Sequence, residues 1–263
     1  MERWQGKWAV ITGASSGIGA AFAKELARGG ANLVLTARRR DRLEQLAREL
    51  AAQHCRVEIC RADLASETGP RDIFEFTQSK GIEVELLINN AGFGAFGEFR
   101  KSDLARQLEM VRVNSLAVVH LTHLYVPQMV ARGQGDILIL ASTAAFQAVP
   151  YLSTYAATKA FDLLFAEGLA EELATHGIHV CALCPGPTTS EFGQVAGNPA
   201  QTMRKRETAE KVARTGLAAV ASGKSHVISG GMNYAMANFE RLLPRRIVNR
   251  TVAKMYHPPD LKK

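Results

Sequence analysis

The sequence has few of the features that mark membrane or secreted proteins. No run of eighteen apolar residues occurs among its 263 residues, so no transmembrane helix is predicted. The apolar run near the N-terminus, within MERWQGKWAVITG, is too short for a signal peptide, and no small-residue cleavage site follows it. We therefore expect a cytoplasmic protein.

Cysteine is also scarce, and its placement argues against a metal site. The four cysteines are Cys55, Cys60, Cys181 and Cys184, of which the last two form the sequence CALC. By spacing alone this pair could bind a metal or form a redox couple. However, it lies in the apolar run HVCALCPG, which is typical of a buried strand, and no second pair with ligand spacing accompanies it. We expect buried thiols in a reducing compartment and no metal.

The chain is basic but does not carry the pattern of a nucleic-acid-binding protein. Its net charge is +7, yet the cations are spread through helical segments and the tail, and no stripe of cations alternates with aromatic residues. A hydrophobic content of 47% and a charged content of 22% are typical of a globular protein. No shift in composition divides the chain, so we predict one domain over residues 1–263 and no nucleic-acid partner.

Short β-branched runs alternate with segments in which apolar residues recur every three to four positions. Such alternation of strands and helices predicts an α/β fold, a doubly wound seven-stranded parallel sheet flanked by helices. The predicted strands are residues 8–12, 32–36, 56–60, 86–89, 136–142, 179–184 and 226–229.

Two segments depart from this alternation. Residues 185–206 are rich in Pro, Gly, Thr and Ser and are long for a connection, which predicts a functional loop near a substrate. Residues 232–257 form a C-terminal helical extension, a helix pair broken near Pro244. Basic and apolar residues alternate there, as in an amphipathic helix that covers the substrate cleft or joins a subunit interface. Contact with a membrane surface is the less favoured use.

A glycine-rich turn, TGASSGIGA, directly follows the first predicted strand. Gly13 allows a sharp turn, Gly17 lets a pyrophosphate approach the backbone, and Gly19 lets the helix pack closely on the strand. The N-terminus of the helix then presents free N–H groups and a partial positive charge to phosphate. Its position between a strand and a helix favours dinucleotide binding over a simple tight turn.

The end of the second predicted strand indicates which dinucleotide binds. An acidic residue is typical there in NAD-binding proteins, because it accepts from the ribose 2′-hydroxyl. This chain has Ala37 followed by Arg38, Arg39 and Arg40. A guanidinium can hold a 2′-phosphate in a bidentate grip, so we predict NADP(H). Arg38 is the first candidate, Arg39 the second with help from Ser15, and Arg40 a solvated helix charge.

These motifs together resemble the short-chain dehydrogenases/reductases. They are TGxxxGxG, NNAG at residues 89–92, Asn114, Ser142, YAATK at residues 155–159 and PG at residues 185–186, in the order typical of that family. The resemblance covers nearly the whole chain and is greatest to bacterial reductases that resemble hydroxysteroid and 3-ketoacyl reductases. It implies a single Rossmann-type domain and a homodimer or homotetramer built on the long helices that carry Asn114 and Tyr155.

The resemblance also implies a catalytic set of Asn114, Ser142, Tyr155 and Lys159. Tyr155 and Lys159 stand four residues apart, so they share one face of a helix. An ammonium about 4 Å away can lower the tyrosine pKa of about 10 by up to about three units before desolvation. In the family Tyr155 is the general acid or base and Lys159 holds the nicotinamide ribose. Ser142 donates to the substrate oxygen and Asn114 binds a relay water; alternatively, Ser142 caps the strand end and Asn114 is a buried polar group.

Further site residues follow from the resemblance alone. The implied cofactor-binding residues are Gly13, Ser15, Ser16, Gly17, Ile18, Gly19, Arg38, Arg39, Asp63, Leu64, Asn90, Ala91, Gly92, Tyr155, Lys159, Pro185, Gly186 and Thr188. The implied substrate-binding residues are Ser142, Phe146, Tyr155 and Phe192. The chain departs from the family at Ser190, which is often threonine, and at Ser16, which is basic in some NADP-dependent relatives.

The sequence therefore predicts an NADP(H)-dependent oxidoreductase that transfers a hydride between nicotinamide and a carbonyl or secondary alcohol. Aromatic residues in the loops around the nicotinamide favour an apolar small-molecule substrate, and a ketosteroid, a 3-oxoacyl thioester and an aromatic carbonyl all remain open. The alternative is an NADPH-binding sensor or scaffold without turnover. The intact Ser142, Tyr155 and Lys159 disfavour it, because a binding module needs no acid.

Overall fold

The computed structural model describes residues 2–53, 55–197, 206–240 and 242–257. Seven parallel strands form one sheet in the order β3-β2-β1-β4-β5-β6-β7. The strands are β1 (Trp8–Thr12), β2 (Asn32–Ala37), β3 (Val57–Arg61), β4 (Val84–Asn89), β5 (Gly135–Leu140), β6 (Ile178–Cys184) and β7 (His226–Ile228). The predicted α/β fold and its seven strands are confirmed, with each boundary within two residues of the prediction.

Helices cover both faces of the sheet. They are α1 (Gly17–Arg28), α2 (Arg40–Leu50), α3 (Gly69–Ser79), α4 (Leu104–Val111), α5 (Ala117–Arg132), α6 (Ser153–Ala174), α7 (Phe192–Ala196), α8 (Ala209–Ala221), α9 (Gly231–Glu240) and α10 (Arg245–Met255). Side chains alternate along each strand between the two faces. In β1, Ala9 and Ile11 join the hydrophobic cluster under α1, α2 and α8, whereas Val10 joins the cluster under α5 and α6. Both faces are therefore dry, which explains the continuous apolar strand sequences.

A buried carboxylate fixes the N-terminal segment near the amino end of β5. Asp136 has no exposed surface. It accepts hydrogen bonds from the Trp4 indole nitrogen at 2.7 Å and from the Arg3 guanidinium at 2.7 and 2.9 Å. His179 Nδ1 lies 3.1 Å from the same carboxylate. Because the donors compensate the buried charge, this cluster holds the chain start against β5 and β6.

The two cysteines of CALC lie on opposite faces of β6. Cys181 belongs to one hydrophobic cluster and Cys184 to the other, as expected for residues three apart on a strand. Burial raises the pKa of each thiol to about 12, so both are structural. Among the residues that the structure describes, no three His, Cys, Asp or Glu side chains cluster as metal ligands do, and no helix has the length and apolarity needed to cross a bilayer.

The two irregular segments contain short helices. In the predicted loop 185–206, α7 follows the turn after β6, and Thr188 pairs with Glu207; residues 198–205 lie outside the described residues. The predicted C-terminal helix pair is confirmed as α9 and α10, and α10 begins directly after Pro244. The apolar side of α10 packs through Val248 and Val252 on a cluster that includes Val149.

Candidate active site

A crevice opens at the carboxyl ends of the strands, where the strand order reverses. β1 lies between β2 and β4, so the chain leaves β1 and β4 towards opposite sides of the sheet. In doubly wound sheets ligands bind at such a switch point. The glycine-rich turn, the end of β2 and the segment after β4 all lie there.

The glycine-rich turn between β1 and α1 needs its glycines. Gly13 and Gly17 have positive φ angles of 66° and 57°, which other residues rarely adopt. A Cβ on Gly19 would collide with the Gly13 carbonyl oxygen and lie 2.6 Å from Asn90 Nδ2. Asn90 Nδ2 donates to the Thr12 carbonyl at 2.7 Å, and the Thr12 hydroxyl accepts from Asn90 N at 2.8 Å. The NNAG segment therefore holds the turn in an open, phosphate-sized form.

The predicted cofactor residues at this turn border one cleft of about 340 Å³. Thirteen of them line it: Gly13, Ser15, Ser16, Gly17, Ile18, Gly19, Arg38, Arg39, Asp63, Leu64, Asn90, Ala91 and Gly92. The cradle that a Cβ would fill, the free N-terminus of α1 and the cations at the end of β2 fit a phosphorylated dinucleotide.

The three arginines after β2 have different surroundings. Arg39 Nη2 donates to the hydroxyls of Ser15 and Ser16 at 3.0 and 2.9 Å. It also pairs with Glu191 at 2.9 Å, and this hydrogen bond lowers the pKa of Glu191. Arg38 Nη1 pairs with Glu109 at 3.0 Å. Arg40, in contrast, pairs with Glu44 one helical turn away and is a solvated helix charge, as predicted.

The sequence alone did not reveal two further charged groups at this cleft. Arg106 lines it and lies 3.8 Å above the ring centre of Phe93. Glu109 forms an ion pair with Arg106 at 2.8 Å and a second one with Arg38. Both residues lie on α4, more than sixty positions from Arg38 in the chain, and no local motif marks them.

A second cleft, of about 360 Å³, adjoins the first. Ile18, Asn90, Gly92 and Phe192 line both clefts, which are therefore continuous. The second cleft contains seven further predicted site residues: Ser142, Tyr155, Lys159, Pro185, Gly186, Thr188 and Phe192. β5 presents Ser142 just beyond its carboxyl end, and the first turns of α6 present Tyr155 and Lys159.

Tyr155 is surrounded by groups that act on its hydroxyl in opposite directions. Burial raises its pKa most strongly, whereas the Lys159 ammonium and a hydrogen bond with Ser142 lower it. The negative charge of Asp162 and the nearby Tyr256 raise it further, so the net pKa is above the ordinary value. Lys159 thus lowers the pKa of Tyr155 as predicted, but desolvation is the larger effect.

Lys159 is fixed by two acceptors. Its ammonium donates to the Leu140 carbonyl at 2.6 Å and to Asp162 Oδ2 at 2.9 Å. Burial lowers the pKa of Lys159, but the carboxylate of Asp162 opposes this effect and the net pKa is raised. Asp162 was not predicted as a site residue. The available signal was an acidic residue in the otherwise apolar stretch KAFDLLF of α6.

Asn114 lies in a π-helical turn, Arg112–Leu116, between α4 and α5. Its amide donates to the Phe93 carbonyl at 3.0 Å and to Thr158 Oγ1 at 3.0 Å, and its oxygen accepts from Phe93 N at 3.1 Å. The side chain is completely buried and is not among the described residues that line the clefts. These contacts join α5, α6 and the segment after β4; the relay through a bound water stays a prediction.

Phe146 is a correction among the predicted substrate residues. The chain after β5 forms a 3₁₀ turn, Thr143–Phe146, whose first residues face the cleft. One turn later Phe146 packs against the hydrophobic cluster under α6 and does not belong to the described cleft lining. The next residue, Gln147, lines the cleft instead.

The C-terminal extension forms one wall of the second cleft. The wall residues are Met232, Asn233, Met236, Ala237 and Glu240 of α9, and Met255 and Tyr256 at the end of α10. Of the two predicted uses of the extension, this arrangement favours the cover over the substrate cleft. Phe192 of α7 closes the cleft from another side, with its ring centre 5.0 Å from that of Tyr155.

Comparison with known proteins identifies the family. Residues 7–200 match the family model described as short chain dehydrogenase. The chain belongs to the short-chain dehydrogenase family. This short-chain dehydrogenase is 30% identical over 256 residues to very-long-chain 3-oxoacyl-CoA reductase-B of Danio rerio, an alignment that covers 95% of the chain and 80% of that relative.

Solved structures agree with this membership. A short-chain dehydrogenase from Sphingobium yanoikuyae in complex with NADPH is 30% identical, with a TM-score of 0.80 and coverage of 90% of this chain and 94% of that one. The bulky-bulky ketone specific alcohol dehydrogenase from Comamonas testosteroni is 28% identical, with a TM-score of 0.76 and coverage of 90% and 92%. The family and the Rossmann-type fold that the sequence predicted are confirmed.

We predict that Gly19→Ala destabilises this dehydrogenase and weakens dinucleotide binding. The added methyl group has no room beside Gly13 and Asn90, and such overpacking costs about 1–3 kcal/mol of folding free energy. Urea unfolding measures the loss. Gly231→Ala is the control, because nothing lies within 4 Å of the added atom. Equal stabilities of the two variants would contradict the prediction.

Proposed function

We propose that this short-chain dehydrogenase is an NADP(H)-dependent carbonyl reductase in which Tyr155 is the general acid. The observation that carries the proposal is the convergence of Ser142 and Lys159 on Tyr155 in a cleft continuous with the dinucleotide cleft. A binding module would need neither a tyrosine in the cleft nor a lysine held beside it. The chemistry fits a ketone whose oxygen gains a proton as its carbon gains a hydride.

The protonation state of Tyr155 suits the donation of a proton to a carbonyl oxygen. Because burial raises its pKa, the hydroxyl keeps its proton at neutral pH and can donate it to a substrate oxygen. Ser142, which lines the same cleft, supplies a second donor to the same oxygen. Lys159 offers its positive charge to the alkoxide that develops. When bound, NADPH supplies the hydride, held by the glycine-rich turn, the segment after β4 and residues 185–188.

The preference for NADP(H) rests on the cations at the end of β2. Arg38 and Arg39 both line the dinucleotide cleft, and no carboxylate stands at Ala37 to repel a 2′-phosphate. The NADPH complex of the Sphingobium yanoikuyae relative supports the same preference. Arg38 remains the first candidate for the phosphate, because among the described contacts its guanidinium pairs with Glu109 alone, whereas that of Arg39 is held by Glu191 and two serine hydroxyls.

We predict that Arg38→Ala weakens NADPH binding about ten- to a hundred-fold and leaves NADH binding nearly unchanged. A charge-assisted hydrogen bond to phosphate contributes about 1.5–3 kcal/mol, which corresponds to this range. Fluorescence titration of both cofactors measures it. Arg40→Ala is the matched control, since that arginine is a solvated helix charge. Equal affinity of the wild type for NADPH and NADH would refute the assignment.

A bulky apolar ketone is the substrate class that fits the second cleft best. Val149, Leu152, Phe192, Met232 and Met255 give it a mainly apolar lining. Methionine side chains adapt to ligands of irregular shape. The names of the Comamonas testosteroni and Danio rerio relatives, a bulky-bulky ketone specific alcohol dehydrogenase and a very-long-chain 3-oxoacyl-CoA reductase, also support large substrates.

A homodimer is proposed as well, built on α5 and α6. Large apolar side chains are exposed on α4, on the π-helical turn that leads into α5 and on α6: Leu104, Leu108, Leu116, Phe161 and Leu164, the last of them 68% exposed. Exposed apolar patches of this kind are typical of subunit interfaces. The extension, in contrast, already uses one side of each of its helices at the cleft.

We predict that Leu164→Lys converts the dimer to a monomer, because a buried unpaired ammonium opposes association. Light scattering at micromolar concentration measures the molar mass. Leu242→Lys, in the exposed turn between α9 and α10, should leave the mass unchanged. A monomeric wild type, or a mass that falls only with Leu242→Lys, would contradict the proposed interface.

The catalytic assignment predicts that Tyr155→Phe lowers turnover about 10²–10⁴-fold, as expected for loss of a general acid. NADPH binding should survive, because the ring remains. Lys159→Ala should weaken both NADPH binding and turnover. A panel of bulky ketones followed by NADPH absorbance measures turnover, and fluorescence measures binding.

Tyr125→Phe is the matched control, since that buried tyrosine bonds only to Thr77 among the contacts described. Turnover of Tyr155→Phe within a few-fold of wild type would contradict the assignment. Tight NADPH binding by the wild type without reduction of any ketone would favour the sensor or scaffold instead.

A further inference from the structure

A carboxylate lies buried directly behind the catalytic pair. Asp162 has no exposed surface, and its Oδ2 lies 2.9 Å from Lys159 Nζ, one helical turn earlier on α6. Its Oδ1 has no hydrogen-bond partner among the described residues. A buried carboxylate with an unsatisfied oxygen is costly, and the stable alternative, an apolar residue, is common elsewhere on this helix. The position therefore calls for a function beyond packing.

The contacts of Lys159 indicate what the carboxylate does to the ammonium. An ammonium group has three N–H donors, and two are engaged by the Leu140 carbonyl and by Asp162. Lys159 is only 5% exposed, yet it lines the second cleft. The third donor is thus available to a ligand in that cleft. With two acceptors behind it, the flexible lysine side chain is held in one orientation towards the cleft.

The charge of Asp162 also acts on Tyr155. The two residues are seven positions apart on α6, a helical rise of roughly 10 Å. At that separation and an effective dielectric constant of 20, a unit charge shifts a pKa by about one unit. The charge of Asp162 raises the pKa of Tyr155, in opposition to Lys159. The other titratable groups that act on this cluster are Cys184 of β6, near Lys159, and Tyr256 after α10, near Tyr155.

We propose that Asp162 is a positioning residue that orients the Lys159 ammonium towards the cleft and keeps the Tyr155 hydroxyl protonated at neutral and mildly alkaline pH. The proposal rests on the proposed function for its catalytic meaning. The effects of the Asp162–Lys159 ion pair on the orientation of Lys159 and on the pKa of Tyr155 can be measured without turnover.

Asp162 itself titrates close to neutrality. Burial raises its pKa to about 6, although Lys159 acts in the opposite direction. Above this pH the carboxylate is charged and offsets the ammonium. As the pH falls through about 6 it gains a proton, and Lys159 then acts on Tyr155 without opposition. The influence of Asp162 on Tyr155 is therefore present at neutral pH and lost in acid.

Asp162→Asn tests the charge, because asparagine keeps the shape and an oxygen acceptor for Lys159. Tyrosine ¹³C NMR between pH 7 and 11 gives the Tyr155 titration, with its signal assigned by Tyr155→Phe. We expect the pKa of Tyr155 to fall by about one unit, and the alkaline limb of the pH–rate profile for ketone reduction to move by the same amount. Coincidence of both curves with the wild type would overturn the proposal.

Two further variants separate orientation from charge and from stability. Asp162→Leu removes the acceptor as well, so NADPH affinity should fall about ten-fold, whereas Asp162→Asn should change it less than three-fold. Asp136→Asn alters a carboxylate that is equally buried but lies at the amino ends of the strands, away from the clefts. It should shift neither the Tyr155 titration nor NADPH affinity. Equal effects of Asp136→Asn and Asp162→Asn would show that Asp162 has only a structural role.

The wild type provides a test that requires no variant to fold. The Lys159 side-chain and Tyr155 ring resonances should both show an inflection between pH 5 and 7, when Asp162 gains its proton. Titration of the Tyr155 ring below pH 8 in the wild type would overturn the proposal, because the hydroxyl would then lose its proton at mildly alkaline pH. Failure to reduce any ketone would refute the proposed function but leave these NMR results intact, so the two failures are distinguishable.

Discussion

Parallel strands can be joined only by crossover connections, and in this chain the crossover helices bury both faces of the sheet. No face of the sheet is left for a ligand, so the functional residues lie at one end of the strands. The site lies at the carboxyl ends of the strands, where the strand order reverses and the first helix begins. The glycine-rich turn, the arginines after β2, Ser142 and the start of α6 all meet there. The amino ends of the strands carry the Asp136 cluster, which fixes the N-terminal segment.

The strands could be predicted because burial on both faces leaves a strong local signal, an unbroken apolar run between turn residues. The predictions were weaker where local sequence and tertiary packing compete. The π-helical turn at Arg112–Leu116 looks like ordinary helix in the sequence, since its extra residue per turn is stabilised by contacts of Asn114 with Phe93 and Thr158, far away in the chain. The short helix α7 was likewise hidden in a loop composition rich in proline and glycine.

The candidate site was predictable where its residues fall into short motifs and not where partners come from distant segments. Tyr155, Lys159 and the glycines stand at fixed spacings, so their grouping could be inferred. Arg106, Glu191 and the α9 wall reach the clefts only through the fold. The pairwise charge estimate gave the direction in which Lys159 shifts the pKa of Tyr155, but the opposing effects of burial and of Asp162 depend on the fold.

The methionine-rich wall from α9 and α10 has an evolutionary consequence. It is contributed by the segment that follows the last strand, and its methionines, Met232, Met236 and Met255, belong neither to the described hydrophobic clusters around the sheet nor to the described lining of the dinucleotide cleft. Substitutions there can reshape the substrate cavity without penalty to cofactor binding or to the central core. The residues that shape the second cleft can thus change separately from those at the strand ends.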